Sequence, residues 1–439
     1  VLAGAIYSPA NPLYKPHELL HQLQDCGAKA IVTLEALVPM LRQVVEQTQV
    51  RHIIVTNMAE AVTGKPTETG GMPPGAVSFQ RLLDTHSPTD APTVAVDPQK
   101  DLAHLVYTGG TTGVSKGVML THRNVVANVL QAQVFNYSGE PVIKDGIMVY
   151  ENAYKPPAGE HWEYVVDELP CSIAIAPWYH GMGTMSGLVA FPLRGFVQIL
   201  MDRFEPMAYL DLVEKKKVTY MAGSPAMFTA LMYTPGIEKR DFSSVKRVGG
   251  GSAPFSVALV ERIYKIFPNA IFIEAMGMTE LVCNAVFNPG NWSGLRKTGT
   301  IGIPITDTDV KIVDLLTGEK ELPLGEDGEI CFKGPQVMQG YLNQPEETAA
   351  VLRDGWMYSG DIGHMDEDGY ITIVDRKKDM LIVKGYNVYP RDLEEILAKH
   401  PAVLSCAVIG VPDPAAGELP KAFVVKMGNQ EIKEDELLD

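Results

Sequence analysis

Residues 107–117 read Tyr107-Thr108-Gly109-Gly110-Thr111-Thr112-Gly113-Val114-Ser115-Lys116-Gly117. Leu102 to Thr108 before the glycines and Lys116 to Leu120 after them have strand composition, so the segment reads as a loop between two strands. Glycines let the backbone approach a ligand closely and point successive N–H groups at it. The threonines add hydroxyl donors and Lys116 a mobile positive charge. Together they suit the oxygens of a polyphosphate. A Walker loop needs Gly-Lys-Ser/Thr at the start of a helix. Here Lys116 lies between Ser115 and Gly117, and a strand follows, so a P-loop kinase or ATPase is a poor fit. A plain hairpin turn of small residues is the simpler reading; the clustering of Thr, Gly and Lys weighs against it.

Outward from this loop the chain alternates helix and strand. Pro16 opens a helix with an apolar stripe of Leu19, Leu20 and Leu23, and Gly27 ends it. Ala30 to Val32 reads as a strand, Glu35 to Thr48 as a second helix and His52 to Thr56 as a second strand. Such alternation predicts an α/β layer with a largely parallel sheet. Met58 to Pro98, rich in Gly, Pro and Thr, reads mostly as surface connection. Downstream, a helix starts at about Thr121, and Tyr137 to Leu169 lacks periodicity and reads as an insertion. After a boundary near Lys378 comes a compact α+β pattern. It comprises strand Met380 to Val383, helix Arg391 to Lys399, and strands Val403 to Ile409 and Ala422 to Lys426.

The 439 residues suggest two to three domains at roughly 150 residues each. Hydrophobic residues at 46% and charged residues at 21% are ordinary for a globular chain, which excludes disorder throughout. Asp plus Glu outnumber Lys plus Arg by 53 to 37, and a net charge of −16 argues against nucleic acid as a partner. Cysteines 26, 171, 283, 331 and 406 show neither metal-type spacing nor close pairs and read as inert thiols of a reducing, cytoplasmic compartment. The longest apolar run, Met185 to Leu200, is broken by Pro192 and Arg194, so no transmembrane segment is expected. The opening at Val1 and the close in the acidic run Glu431 to Asp439 lead us to expect further residues beyond both ends.

The phosphate loop resembles the signature of the adenylate-forming superfamily, and within it the acyl-CoA synthetases, with Ser115 where the usual pattern has proline. Six further motifs follow in the family's order. Pro177-Trp178-Tyr179-His180 is similar to its acyl-site motif, Gly249-Gly250-Gly251-Ser252-Ala253-Pro254 to its adenine loop, and Gly277-Met278-Thr279-Glu280 to its Gly-x-Thr-Glu core. Gly355-Trp356-Met357-Tyr358-Ser359-Gly360-Asp361 resembles the ribose motif, and Asp375-Arg376-Lys377-Lys378-Asp379 the interdomain hinge. Lys384-Gly385-Tyr386-Asn387-Val388-Tyr389-Pro390 resembles the start of the small domain. The match runs from near Gly4 to Val425.

The resemblance implies an α/β protein: a large N-terminal domain of layered sheets with flanking helices, residues 1–377, and a small α+β domain, residues 378–439. It implies ATP and CoA as substrates, Mg2+ as cofactor, and thioester formation through an acyl-adenylate. Thr108, Gly109, Gly110, Thr111, Thr112, Gly113 and Lys116 would hold the phosphates. Thr279 would donate to the α-phosphate and Glu280 would hold Mg2+. Gly251, Ser252, Ala253, Met276 and Gly277 would flank the adenine, with Met276 replacing the family's usual aromatic residue. Asp361 would bind the ribose hydroxyls, with Arg376 beside it. His180 would help position the acyl substrate, Lys378 would be the hinge, and Gly385 would line the CoA channel. The family's catalytic lysine in a Ser-Gly-Lys motif has no counterpart after Lys426. Trp178, Tyr179, Met182, Met185 and Met276 suggest an apolar acyl pocket, favouring a fatty or aromatic acid over acetate. Three other functions stay open: an acyl-AMP ligase or adenylation domain that passes the acyl group to a carrier protein, a non-catalytic nucleotide-binding homologue and, more distantly, a luciferase-like oxygenase. A homodimer and peripheral membrane contact are open as partners.

Overall fold

The computed structural model describes residues 4–68, 72–87, 92, 94–108, 115–137, 140–145, 147–151, 170–291, 294–384, 386–400, 402–428 and 437. Its contacts divide the chain into two compact units. The first gathers Val1–Ala127, Pro177–Thr184 and Met338–Ala350; the second gathers Asn128–Ala176, Met185–Val337 and Val351–Asp439.

In the first unit, helix Pro16–Asp25 starts on its proline, and Glu18 accepts the Lys15 N–H at 2.6 Å. Gly27, at φ +59°, turns the chain into strand Ala30–Leu34. That strand pairs in parallel with His52–Thr56, which pairs in parallel with Ala76–Ser78. Leu19, Leu23, Val38, Leu41, Val44, Ile53 and Val55 form the core beside this sheet. The helix expected over 35–48 is broken into Glu35–Leu37, Val38–Leu41 and Val45–Gln47. Pro39 cannot donate within a continuing helix, so the helix restarts at Val38, and Val44 leaves the helical region at φ −126°.

Residues 58–98 are also more than a connection: helices Met58–Thr63 and Phe79–Thr85 flank the third strand. Asn57 and Ser78 cap these helices, accepting the N–H groups of Glu60 and Arg81. Burial alone would raise the pKa of Glu60. Hydrogen bonds from Ser78, Thr56 and the backbone of Gln80 and Thr67 bring it down to about 2 instead. A second sheet of this unit pairs Leu102–Thr108 antiparallel with Lys116–Thr121, whose other edge carries Gly340–Tyr341.

The second unit is built on a seven-stranded sheet. Five strands are parallel, in the order Ile271–Met276, Arg247–Gly250, Tyr220–Gly223, Cys171–Ala174, Val197–Leu200. Val286–Phe287 and Ile303–Pro304 extend it antiparallel. Helices Pro206–Lys215, Pro225–Met232 and Val257–Ile266 start at capping side chains Glu205, Ser224 and Ser256. Their Tyr209, Leu210, Phe228, Leu231 and Ile263 join the sheet's apolar face in one core. Trp356–Met365 is the centre of an antiparallel sheet with Gly328–Lys333, Leu352–Arg353 and Ile371–Arg376; Asp309–Val313 forms its edge. Beyond Lys378, strands Leu381–Val383, Tyr386–Val388, Val403–Asp413 and Gly417–Lys426 form a sheet with helix Pro390–Leu397. The last two strands form a longer hairpin than their apolar runs predict. Within the expected insertion, Glu140–Lys144 and Ile147–Glu151 pair as a hairpin; its residues 152–169 lie outside the described ones.

Candidate active site

Open α/β sheets bind ligands outside the carboxyl ends of their parallel strands. In the second unit two such ends carry the motifs read above. Arg247–Gly250 runs into Gly251, Ser252 and Ala253, and Ile271–Met276 runs into Gly277, Thr279 and Glu280. Ser252 adopts φ +70°, and it and Ala253 face solvent, while Gly251 is buried. Glu274 ties the two ends together: its Oε1 accepts the Phe255 N–H at 3.0 Å. Burial raises the Glu274 carboxyl to about 7, against the lowering effect of that N–H and of Arg391. Met276 is only 8% exposed and belongs to the core.

Thr279 and Glu280 sit in a short helix, Thr279–Leu281, held at both ends. Before it, a Cβ on Gly277 would lie 1.4 Å from the Cys283 carbonyl oxygen. After it, buried Val282 adopts φ +66° and ψ −61°, and the Cys283 N–H donates to the Leu281 carbonyl at 2.8 Å. That is a three-residue turn, rare and strained for a β-branched residue. Asn128, fully buried on helix His122–Tyr137, donates to the Asn284 carbonyl at 2.7 Å and accepts its N–H at 3.0 Å. Glu280 is itself buried.

Asp361 lies in the same unit, on strand Trp356–Met365. The pairing with Gly328–Lys333 shifts between Glu329 and Cys331, so residues 359–361 bulge from the ladder. A bulge re-aims side chains. Arg376 pairs with Asp361 across the next strand, Nε to Oδ1 at 3.4 Å. Burial raises the Asp361 carboxyl to about 6; Arg376 opposes the rise, and the charges of Glu280 and Glu329 add to it. The structure therefore brings Asp361, Arg376 and Glu280 within electrostatic reach. Lys378 follows in a tight turn, where the N–H groups of Asp379 and Met380 both donate to the Arg376 carbonyl at 2.9 and 3.0 Å. Gly385 lies outside the described residues.

In the first unit Thr108 and Lys116 are register partners, so the two ends of the glycine-rich loop meet. Gly109, Gly110, Thr111, Thr112 and Gly113 lie outside the described residues. Tyr107 donates to Asp25 Oδ2 at 2.6 Å, and His21 Nε2 donates to the Ser115 carbonyl at 2.9 Å. Helix Pro16–Asp25 thus holds both ends of the loop. Lys116 pairs with Glu347 and lies 5.0 Å over the Tyr341 ring.

His180 also belongs to the first unit. Its Nδ1 accepts the Met182 N–H at 3.3 Å, which places the proton of the neutral ring on Nε2, and partial desolvation lowers its pKa. Its carbonyl accepts the Thr184 N–H at 2.9 Å, and Thr184 Oγ1 donates to the Trp178 carbonyl at 2.5 Å.

Sequence reading missed His21, Asp25, Asn128, Glu274, Glu329 and Glu347. Each acts on a motif distant in the chain, and none sits in a local pattern. A charged residue inside an apolar strand, as in Ile271-Phe272-Ile273-Glu274, was the one available signal.

Comparison with known proteins matches the profile of the AMP-binding enzyme family to residues 1–342, and that of the AMP-binding enzyme C-terminal domain to residues 392–439. The chain belongs to the AMP-binding enzyme family. Among the family's members, the long-chain-fatty-acid–CoA ligase of Bacillus subtilis (strain 168) is 36% identical, covering 100% of this chain and 75% of that protein. The enzyme of the same name from Salmonella typhimurium (strain LT2) is 37% identical, covering 97% of this chain and 72% of its own. The crystal structure of ATP-bound MatB from Rhodopseudomonas palustris superimposes with a TM-score of 0.82 at 30% identity, covering 100% of this chain and 76% of that one. The expected α/β architecture of a large and a small domain is that of this family. Among the described residues, no helix is long and apolar enough to cross a membrane.

Proposed function

We propose that this protein is an AMP-forming acyl-CoA ligase whose acid substrate is a long-chain fatty acid. The observation that carries the reading is the identity of 36% across the whole chain to a long-chain-fatty-acid–CoA ligase. In the first step a carboxylate oxygen of the acid attacks the α-phosphorus of ATP, the bond to the bridging β-oxygen breaks, and pyrophosphate leaves. In the second, the thiol of CoA gives up its proton to solvent and attacks the acyl carbonyl, and AMP leaves.

Both steps crowd negative charge, so positioning and screening dominate. Thr108 and Lys116, with residues 109–113, hold the β- and γ-phosphates, Lys116 exchanging the Glu347 carboxylate for phosphate oxygens. Thr279 donates to the α-phosphate. Gly251, Ser252, Ala253, Met276 and Gly277 bound the adenine site, and Asp361 accepts from the ribose hydroxyls beside Arg376. His180 offers its Nε2 proton toward the acyl carboxylate.

Among the described residues no group of three or more His, Cys, Asp or Glu could hold a metal alone. Mg2+ takes one or two protein carboxylates and completes its shell with phosphates and water, and buried Glu280 is the carboxylate that would hold it. When bound, Mg2+ offsets the repulsion between the phosphate oxygens.

Residues 1–377 act as the large domain and 378–439 as the small one, turning at Lys378 between the steps, with Gly385 on the path of CoA. The enzyme is cytoplasmic; its five cysteines are all free thiols. A second copy of the chain and a lipid surface are further partners to test, by mass photometry and by sedimentation with vesicles.

The adenylation half-reaction is tested by exchange of labelled pyrophosphate into ATP by the full-length protein. Exchange that needs a long-chain acid and Mg2+ but no CoA, and that falls about a hundredfold in Glu280→Gln, is expected. Exchange indifferent to the acid would refute the reading.

A further inference from the structure

The motifs above leave Glu329 without a role, although it is among the most deeply buried carboxylates of the second unit, at 6% exposure. Both its oxygens are used. Oε1 accepts the Gly360 N–H at 3.1 Å, and Oε2 accepts the Lys377 ammonium at 2.8 Å. Lys377 closes the arrangement by donating its own N–H to the Gly360 carbonyl at 2.8 Å. Gly360 stands at φ +74° in the middle of the bulge, and Asp361 follows it. Ser359 Oγ donates to the Ile330 carbonyl at 2.7 Å and accepts the Asp361 N–H at 3.0 Å. Glu329 therefore grips the residue before Asp361 and the residue after Arg376.

We infer that Glu329 is a positioning residue for nucleotide recognition: with Lys377 it clasps the bulge so that Asp361 and Arg376 are presented together to the ribose of ATP. The inference rests on the ribose reading of Asp361 proposed above. Burying a carboxylate is unfavourable unless it is fully paired, and Glu329 is paired only when the bulge and residue 377 hold this geometry. Loss of either partner leaves a buried charge and frees the bulge. Asp361 itself has no backbone partner on the Gly328–Lys333 strand that would hold it in register, because the ladder resumes only at Ile362 with Glu329.

The test compares kcat and KM for ATP and for 2′-deoxy-ATP in the wild type, Asp361→Ala, Glu329→Gln, Lys377→Met and the Asp361→Ala/Glu329→Gln pair. The clasp predicts that Glu329→Gln and Lys377→Met raise KM for ATP about tenfold, the worth of one charge-assisted hydrogen bond, and change kcat little. It also predicts that both variants lose most of the wild type's preference for ATP over 2′-deoxy-ATP, as Asp361→Ala does. The double variant should be no worse than Asp361→Ala alone. The Lys377 side chain is 41% exposed, so Lys377→Met keeps the test alive if Glu329→Gln does not fold. A purely structural Glu329 would lower Tm while leaving the nucleotide preference intact, and that result overturns the inference. An unchanged preference in Asp361→Ala would instead overturn the ribose reading, and the inference with it. A loss in Asp361→Ala alone would overturn the inference and spare the ribose reading.

Discussion

Gly277 has no room for a side chain, since a Cβ would fall 1.4 Å from the Cys283 carbonyl oxygen. Gly277→Ala must push apart the two sides of the turn that carries Thr279 and Glu280. A displacement near 1 Å at a reacting centre costs about a hundredfold in rate. We expect that loss in acid-dependent pyrophosphate exchange, with the fold intact by circular dichroism; wild-type exchange would contradict it. Glu274 makes a second prediction. Its carboxyl, raised from 4.5 to about 7 by burial, keeps its proton in the folded state after the unfolded chain has released it. Its contribution to stability is therefore present below pH 4.5 and is lost as pH rises through 7, about 3 kcal/mol in all. Glu274→Gln keeps an acceptor for the Phe255 N–H and removes the titration. Between pH 5 and 8 the wild-type Tm should fall relative to that of Glu274→Gln, and parallel profiles would refute the assignment. At this scale the glycine-rich, Thr-Glu and Ser-Gly-Asp motifs were legible as residue types in order. Glu274 and Glu329 were not, because a single glutamate in an apolar strand looks like an outward-facing position until its partners are seen.

Elements show where local pattern stops being informative. Strands Leu102–Thr108 and His52–Thr56 and the start of helix Pro16–Asp25 follow directly from apolar runs and a proline. The broken helix over 35–48 does not, because Pro39 and Val44 interrupt backbone geometry without interrupting the apolar stripe that Val38, Leu41 and Val44 bury. The helices after Asn57 and Ser78 are marked by their caps more than by periodicity. The role of helix His122–Tyr137 was equally invisible: Asn128, an unremarkable polar residue in the sequence, supports the chain behind Thr279 and Glu280 through Asn284. Asn128→Ala strands the part-buried N–H and carbonyl of Asn284. We expect a loss of about 2–3 kcal/mol in urea unfolding and a matching fall in pyrophosphate exchange. A variant as stable and as active as the wild type would show that the helix does not support the turn.

The grouping of Pro177–Thr184 and Met338–Ala350 with the first 127 residues could not be read from the sequence. It depends on pairings such as Gly340 with Met119, which join residues more than two hundred positions apart. The resemblance across ordered motifs did foretell the α/β class and the family, because motif order reflects how strands and loops succeed one another. The chain length of the acid had no such signal, since a pocket is shaped by side chains from several elements. The proposed reaction stands or falls on CoA-dependent formation of AMP by the full-length protein, measured with Mg-ATP and acids from acetate to long-chain fatty and aryl acids, each with and without CoA. It predicts AMP and acyl-CoA in equal amounts with a long-chain fatty acid, and little AMP without CoA. AMP or pyrophosphate release that CoA leaves unchanged, or nucleotide binding with no turnover of any acid, would contradict it.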